Sequence, residues 1–246
     1  MRKILLRIAY DGSAYHGWQK QDNADTVEGR MYTALSELCP EAELCGGSRT
    51  DAGVHARDNV VLCITPDEFR IPADRLPMAL NRRLPGDICV CSGEERNEDF
   101  ELRGAPCRKT YEYRILNTAM PDPMRRLYCA HVSFPLDENI MAEGAAHLVG
   151  EHDFTSFSSV HAQVQTRVRT IFSAEVERHG DEILIRVCGN GFLYNMVRII
   201  AGTLVELGRG ACAAEDIKRM LDAKDRQAAG PTAVPEGLCL KRYELL

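Results

Sequence analysis

No apolar run in the sequence approaches the roughly 18–20 residues that a membrane span requires. Met1-Arg2-Lys3 leads straight into a short strand-like segment rather than a signal peptide, so the reading is a cytoplasmic protein with no membrane partner. Its ten cysteines include no Cys-x-x-Cys pair; most are expected to be small, reduced core residues. In Cys89-Val90-Cys91 the two sulfurs are expected on opposite faces of a strand. No convincing cluster of metal ligands is visible, and no metal is expected. A dinucleotide loop is excluded as well: Gly189-Asn190-Gly191 lacks the third glycine, and no acidic residue stands at the right distance in a βαβ unit. An excess of positive charge is also missing. The net charge of −6 argues against indiscriminate binding to nucleic acid, although it says little about local fields.

What the sequence does hold is a polar stretch bounded by glycine, Gly46-Gly47-Ser48-Arg49-Thr50-Asp51-Ala52-Gly53-Val54-His55. Glycine at both ends permits a tight turn, and Ala52 adds no bulk, so Asp51 can face a bound substrate. Its carboxylate is ionised near neutrality and available as nucleophile or base. Arg49, two residues away, carries a planar cation that can grip a phosphate or stack on a base. Taken alone, the stretch reads as a surface turn, since Asp, Gly and Ser are ordinary turn residues.

Other motifs accompany it in order: Tyr10-Asp11-Gly12 with Gly17-Trp18-Gln19, Lys109-Thr110-Tyr111-Glu112-Tyr113, Phe192-Leu193-Tyr194-Asn195-Met196-Val197-Arg198, and Ala229-Gly230-Pro231-Thr232-Ala233 with Gly237-Leu238. Together with Gly47 to His55 they resemble the signatures of the TruA family of tRNA pseudouridine synthases, and the resemblance spans nearly the whole chain. It implies an α+β fold in which two related halves, residues 1–104 and 105–246, share a long mixed, mostly antiparallel sheet flanked by helices, with a central active-site cleft. No repeat is visible in the sequence itself. The family also implies catalysis by Asp51, Tyr111 and Arg198 without a cofactor, on tRNA rather than DNA, at positions 38, 39 and 40 of the anticodon stem-loop, by a homodimer. The expected RNA contacts are Arg49, Tyr111, Trp18 and Arg103.

Each of these residues has a plainer reading in the pattern around it. The segment Lys3 to Ala9 alternates as a strand, and a polar loop to Ala24 then carries the single tryptophan, Trp18, which fits core packing as well as RNA contact. Asp25 with Glu28 resembles a capping box for a helix carrying Val27, Met31, Leu35 and Leu38 up to Pro40. Strands are expected through Leu44 and from Asn59 to Ile64, on either side of the Asp51 loop. A helix from Pro72 to Leu84 then precedes a strand from Ile88 to Cys91, with Gly93 to Asp99 as the candidate linker. In the second half the spacing predicts a strand from Arg108 to Leu116, a helix from Asp137 to Val149, a hairpin turning at His179-Gly180-Asp181, and a helix from Phe192 to Leu207 ended by Gly208. Alternation places Tyr111, Tyr113 and Ile115 on one strand face; the family selects Tyr111 to stack on the target base. Arg198 lies in the most hydrophobic helix, beside its stripe of Leu193, Val197, Ile200 and Leu204, where a cation needs a partner. The resemblance names that partner as Asp51 across the cleft.

Basic residues cluster at Arg82-Arg83, Arg103, Arg108-Lys109, Arg125-Arg126 and Arg167 with Arg169, and are expected to line one face. Two segments depart from the family. Phe100-Glu101-Leu102-Arg103-Gly104-Ala105-Pro106 replaces Phe-x-Ala-Arg-x-x-Ala, and Tyr194-Asn195 precedes Met-Val-Arg where histidine or another polar residue is usual. A binding module without catalysis would have no need for Asp51 in such a loop together with Arg198 in an apolar helix. An Asp-dependent hydrolase would call for a second acid, base or metal, and none is evident.

Overall fold

The apolar run Ile4 to Ile8 builds the first strand, whose Ile4, Leu6 and Ile8 are fully buried on one face while Leu5 is buried on the other. Residues 1–159 and 164–246 are described in this computed structural model. The elements run β1 (Arg2–Tyr10), α1 (Val27–Ser36), β2 (Glu43–Gly46), β3 (His55–Thr65), α2 (Leu76–Asn81), β4 (Ile88–Arg96), β5 (Cys107–Asn117), β6 (Ala130–Val132), α3 (Glu138–Ala146), β7 (Gly150–Asp153), β8 (Val168–His179), β9 (Glu182–Gly189), α4 (Met196–Gly208), α5 (Asp216–Ala223) and β10 (Leu238–Leu245). The chain divides into two compact units, Met1–Pro106 with Leu240–Leu246, and Cys107–Cys239.

In the first unit the strands lie in the order β4-β1-β3-β10, and β2 pairs with the far half of β3. The β1–β3 and β1–β4 pairs are antiparallel. Val27, Met31 and Leu35 of α1, with Leu76 and Leu80 of α2, bury their side chains to 1% exposure or less. The last strand is held to the first two by a shared carboxylate: Asp58 pairs with Arg7 at 2.6 Å and accepts from the backbone N–H of Tyr243 at 3.1 Å, while Arg7 donates to the Tyr243 carbonyl.

The second unit orders its strands β5-β9-β8-β7, with β6 parallel to β5 and the other pairs antiparallel. The class is thus α+β with mixed, mostly antiparallel pairing, as expected. Ile183, Ile185 and Val187 of β9 are fully buried, and so are Ile199, Ile200 and Leu204 of α4. Glu112, 4% exposed, points the other way from Tyr111 and Tyr113 and is bracketed by Arg114 at 3.0 Å and Arg186 at 3.1 Å. A buried carboxylate requires that compensation.

Several expectations from the sequence are corrected. Gly93 to Asp99 is no linker, because β4 continues to Arg96, pairing Gly93 with Leu6 and Arg96 with Lys3. The stretch looked like a loop because β4 is an edge strand, and edge strands carry outward charge. Thr26, not Asp25, caps α1: its hydroxyl accepts from the Gly29 N–H at 3.2 Å, while Asp25 is engaged by Arg30. Helix α2 is shorter than Pro72 to Leu84, since Asn81 turns its amide onto both backbone polar groups of Val90, at 2.8 and 2.9 Å. Helix α4 starts only at Met196, because Asn195 is in the left-handed region (φ 61°). Cys89 and Cys91 share the exposed face of β4 with Val90 buried between them, not opposite faces, as two-residue strand periodicity dictates; all ten cysteines are free, but only Cys39, Cys63 and Cys129 are buried, so most are not core residues. Strands β6 and β7 and helix α5 had no expectation attached to them.

Helix α4 approaches the Pro231 segment so closely that a Cβ on Gly202 would come 1.9 Å from the Pro231 carbonyl oxygen. Gly202→Ala should therefore lower unfolding free energy by about 1–3 kcal/mol through overpacking, read as an earlier urea midpoint with unchanged slope.

Candidate active site

The β2–β3 ladder runs one bond past Gly46, and beyond it the backbone groups of the connection find partners in other loops and in its own turn. The Gly47 N–H donates to the Val60 carbonyl at 2.8 Å, the Trp18 N–H to the Thr50 carbonyl at 3.0 Å, and the Gly53 N–H to the Tyr15 carbonyl at 3.2 Å. A turn closes from the Val54 N–H to the Asp51 carbonyl at 3.1 Å. Gly53 sits at its third position with φ 79°, which explains the glycine. Along Ser48 to Asp51 the chain alternates inward and outward: Ser48 and Thr50 are each 7% exposed, Arg49 is exposed and Asp51 half-buried. Arg49 and Asp51 therefore leave the unit on the same side.

Beneath the loop lies a set of aromatic and polar residues. Trp18 is 2% exposed and packs at a tilt on Tyr10, ring centroids 6.0 Å apart. Of its two readings, this is the core-packing one. The Tyr10 hydroxyl meets Thr50 Oγ1 at 2.8 Å, and the Asn59 amide donates to the Ser48 carbonyl at 2.9 Å. His55, 7% exposed, accepts from the Gly12 N–H through Nδ1 at 3.1 Å, which ties the Tyr10-Asp11-Gly12 motif to the end of the loop.

In the second unit Tyr111 is 5% exposed on β5, its ring edge-to-face with Phe192 at 5.1 Å and 82°. Its neighbour Tyr113 donates to the Val234 carbonyl at 2.8 Å, and burial pushes its phenol far above the usual range. Arg198 stands in the first turn of α4, the positive end of the helix dipole, where a cation is disfavoured. It is held by two acceptors: Nε donates to the Ala233 carbonyl at 2.7 Å and Nη1 to Asn195 Oδ1 at 2.8 Å. The Ala233 N–H returns a bond to the Arg198 carbonyl at 3.1 Å, and the Gly230 N–H caps Thr203 Oγ1 at 3.0 Å. The motif Ala229 to Ala233 thus acts as the clamp on this arginine. Gly189-Asn190-Gly191 has a structural task as well, since Asn190 bonds both backbone polar groups of Thr170.

The basic residues divide by environment. Arg83 pairs with Glu37, Arg125 with Glu182, and Arg108 lies over the Phe172 ring. Arg49 and Arg103 are exposed, Arg103 beside Gly104 at φ 86°. Burial holds the Lys109 ammonium below its ordinary range, with the Arg169 charge acting in the same direction. Among the described residues no three or more His, Cys, Asp or Glu side chains are grouped to hold a metal ion. Sequence reasoning passed over Asn59, Phe192 and Asn195 as working residues. The signal for Asn59 was a polar residue at the head of the apolar run Val60 to Ile64 of β3.

A family model for tRNA pseudouridine synthase matches residues 7–103 and again 145–244. The chain belongs to that family. A protein of Halalkalibacterium halodurans named tRNA pseudouridine synthase A is 44% identical over 100% of this chain and 93% of its own. One of the same name from Exiguobacterium sp. is 46% identical over 98% and 96%, and one from Thermoanaerobacter sp. 42% over 98% and 98%. Among solved structures, a chain from the "Crystal Structure of a Cbf5-Nop10-Gar1 Complex" aligns with a TM-score of 0.35 and 12% identity over 82% of this chain and 54% of that one, a likeness too slight to carry an argument.

Asn195 both takes the left-handed turn and binds Arg198. Asn195→Ala should lose the bond and strain the backbone, costing about 1–3 kcal/mol. Asn195→Gly should recover the backbone part, and the difference between the two variants in urea unfolding separates the contributions.

Proposed function

We propose that this protein isomerises uridine to pseudouridine at positions 38, 39 and 40 in the anticodon stem-loop of tRNA, with Asp51 as the group that acts on the ribose. The observation that carries the reading is the loop geometry: a carboxylate held on a braced turn, leaving on the same side as Arg49, in a chain whose relatives named for this activity align end to end. The reaction breaks the N1–C1′ bond, turns the detached uracil and joins C5 to C1′. C5 gives up its proton and N1 gains one, so nothing is oxidised or hydrolysed. Asp51 serves either by attacking C1′ or by taking the C2′ proton. Either route needs the nucleotide turned out of its stack. Arg49 fills the space left behind, and Tyr111 stacks on the freed base. Arg198 is the third catalytic residue, and Arg103 binds phosphate. Trp18 contributes from below, by supporting the loop.

The protein acts as a homodimer in the cytoplasm; among the described residues no helix is long and apolar enough to cross a membrane. Phosphate contacts position RNA without reading its sequence, and an A-form stem hides its base edges. Selection among neighbouring uridines therefore follows tRNA shape and ease of flipping, and binding weakens steeply with salt. The test supplies transcripts carrying one C5-tritiated uridine at 38, 39 or 40 and measures tritium release. Release from more than one position supports the proposal, whereas release from none of the three, or from one alone, sinks it. Asp51→Asn should bind tRNA normally yet lose more than about a hundredfold in rate; a smaller loss removes Asp51 from the chemistry.

A further inference from the structure

The bracing under the Asp51 loop is a continuous hydrogen-bond chain. Asn59 is fully buried on β3, and its amide nitrogen donates to the Ser48 carbonyl at 2.9 Å and to the Tyr10 hydroxyl at 3.3 Å, while its oxygen accepts from the Val60 N–H at 2.9 Å. An amide nitrogen can only donate. The Tyr10 oxygen thus accepts from Asn59, and it also shares a hydrogen bond with Thr50 Oγ1 at 2.8 Å. The chain Asn59 to Tyr10 to Thr50 therefore fixes both inward-facing residues, Ser48 and Thr50, between which Arg49 projects and after which Asp51 follows.

Strand register supplies the aim. Ile8 pairs with Asn59 but Tyr10 with Ala56, so one extra residue is inserted into β3 at this point. Bulges next to active sites re-aim side chains. Here the shift brings Tyr10 and Asn59 under the loop together. Burying this much polarity is costly unless it is fully bonded, and a plain apolar pair would pack the same space at lower cost.

We propose that Tyr10 and Asn59 are positioning residues for the reaction, acting through Thr50 to hold Asp51 at the ribose; this rests on the role given to Asp51 above. A displacement of about 1 Å at a reacting group costs on the order of a hundredfold in rate. Loss of the chain should therefore appear in kcat rather than in tRNA affinity.

The test measures steady-state tritium release for Tyr10→Phe, Thr50→Val, Thr50→Ser and the double variant Tyr10→Phe/Thr50→Val, with Asp51→Asn as reference and thermal melting as a check on folding. Tyr10→Phe and Thr50→Val should each lower kcat by about ten- to a hundredfold with KM for tRNA changed less than about twofold. Thr50→Ser keeps the hydroxyl and should restore most of the rate. Because both changes break one bond, the double variant should be no slower than the slower single. The inference fails if Asp51→Asn is inactive while Tyr10→Phe and Thr50→Val keep kcat within about twofold, if their losses lie in KM, or if they multiply. Retained turnover in Asp51→Asn would instead overturn the reading of Asp51 itself, and the positioning role with it.

Discussion

A backbone carbonyl that leaves a sheet must be bonded or solvated, and at the end of β2 this constraint governs the surroundings. The loop from Gly47 to Val54 carries outward-facing polar residues, and its carbonyls are met by donors from two other places, Asn59 on β3 and Trp18 in the first loop, and by its own turn through Val54. Tyr10 and Trp18 are consumed in this bracing, each at most 5% exposed. Arg49 stays exposed and Asp51 half-buried above a frame of buried aromatics. A flexible glycine-bounded segment is thereby made rigid without side-chain bulk on its outer surface.

The second unit meets the same constraint with different residues. Arg198 is fixed by the carbonyl of Ala233 and the side chain of Asn195, and the segment supplying that carbonyl is itself tied to Thr203 and Gly202 on α4. Each unit also contains a helix, a four-residue strand and a long strand in succession: α1, β2 and β3 in the first, α3, β7 and β8 in the second. The short strand pairs antiparallel with the long one in both, and one family model matches the chain twice. The relationship between halves survives in this arrangement although no repeat can be seen in the residues.

Much of this was legible in the sequence, for physical reasons that also mark its limits. Alternation exposed β1 and the buried face of β5, helical spacing exposed the stripe of α4, and Gly180 marked the hairpin. Charge misled at β4, where Glu94, Glu95 and Arg96 are ladder residues on an edge, and local capping rules misled at Asp25, whose carboxylate went to Arg30 instead. The ordered motifs pointed to Asp51, Tyr111 and Arg198 but not to what holds them. Asn59, Phe192 and Asn195 act through contacts formed only on folding, between residues such as Asn59 and Ser48 that local pattern does not connect.

The membership of residues 240–246 in the first unit bears on synthesis at the ribosome. Translation delivers β1, β3 and β4 early, yet the Asp58 and Arg7 side chains that join β3 to β1 also hold Tyr243, more than two hundred residues after Arg7. While the intervening unit is being made, β3 is paired by β1 on one side and by β2 over Val61 to Ile64 on the other, and the rest of that second edge stays open until β10 arrives. Unpaired edges of that kind invite intermolecular strand addition. The period between emergence of β4 and arrival of β10 is therefore the interval in which chaperone protection matters most, and slowing elongation over the second unit would prolong that exposure.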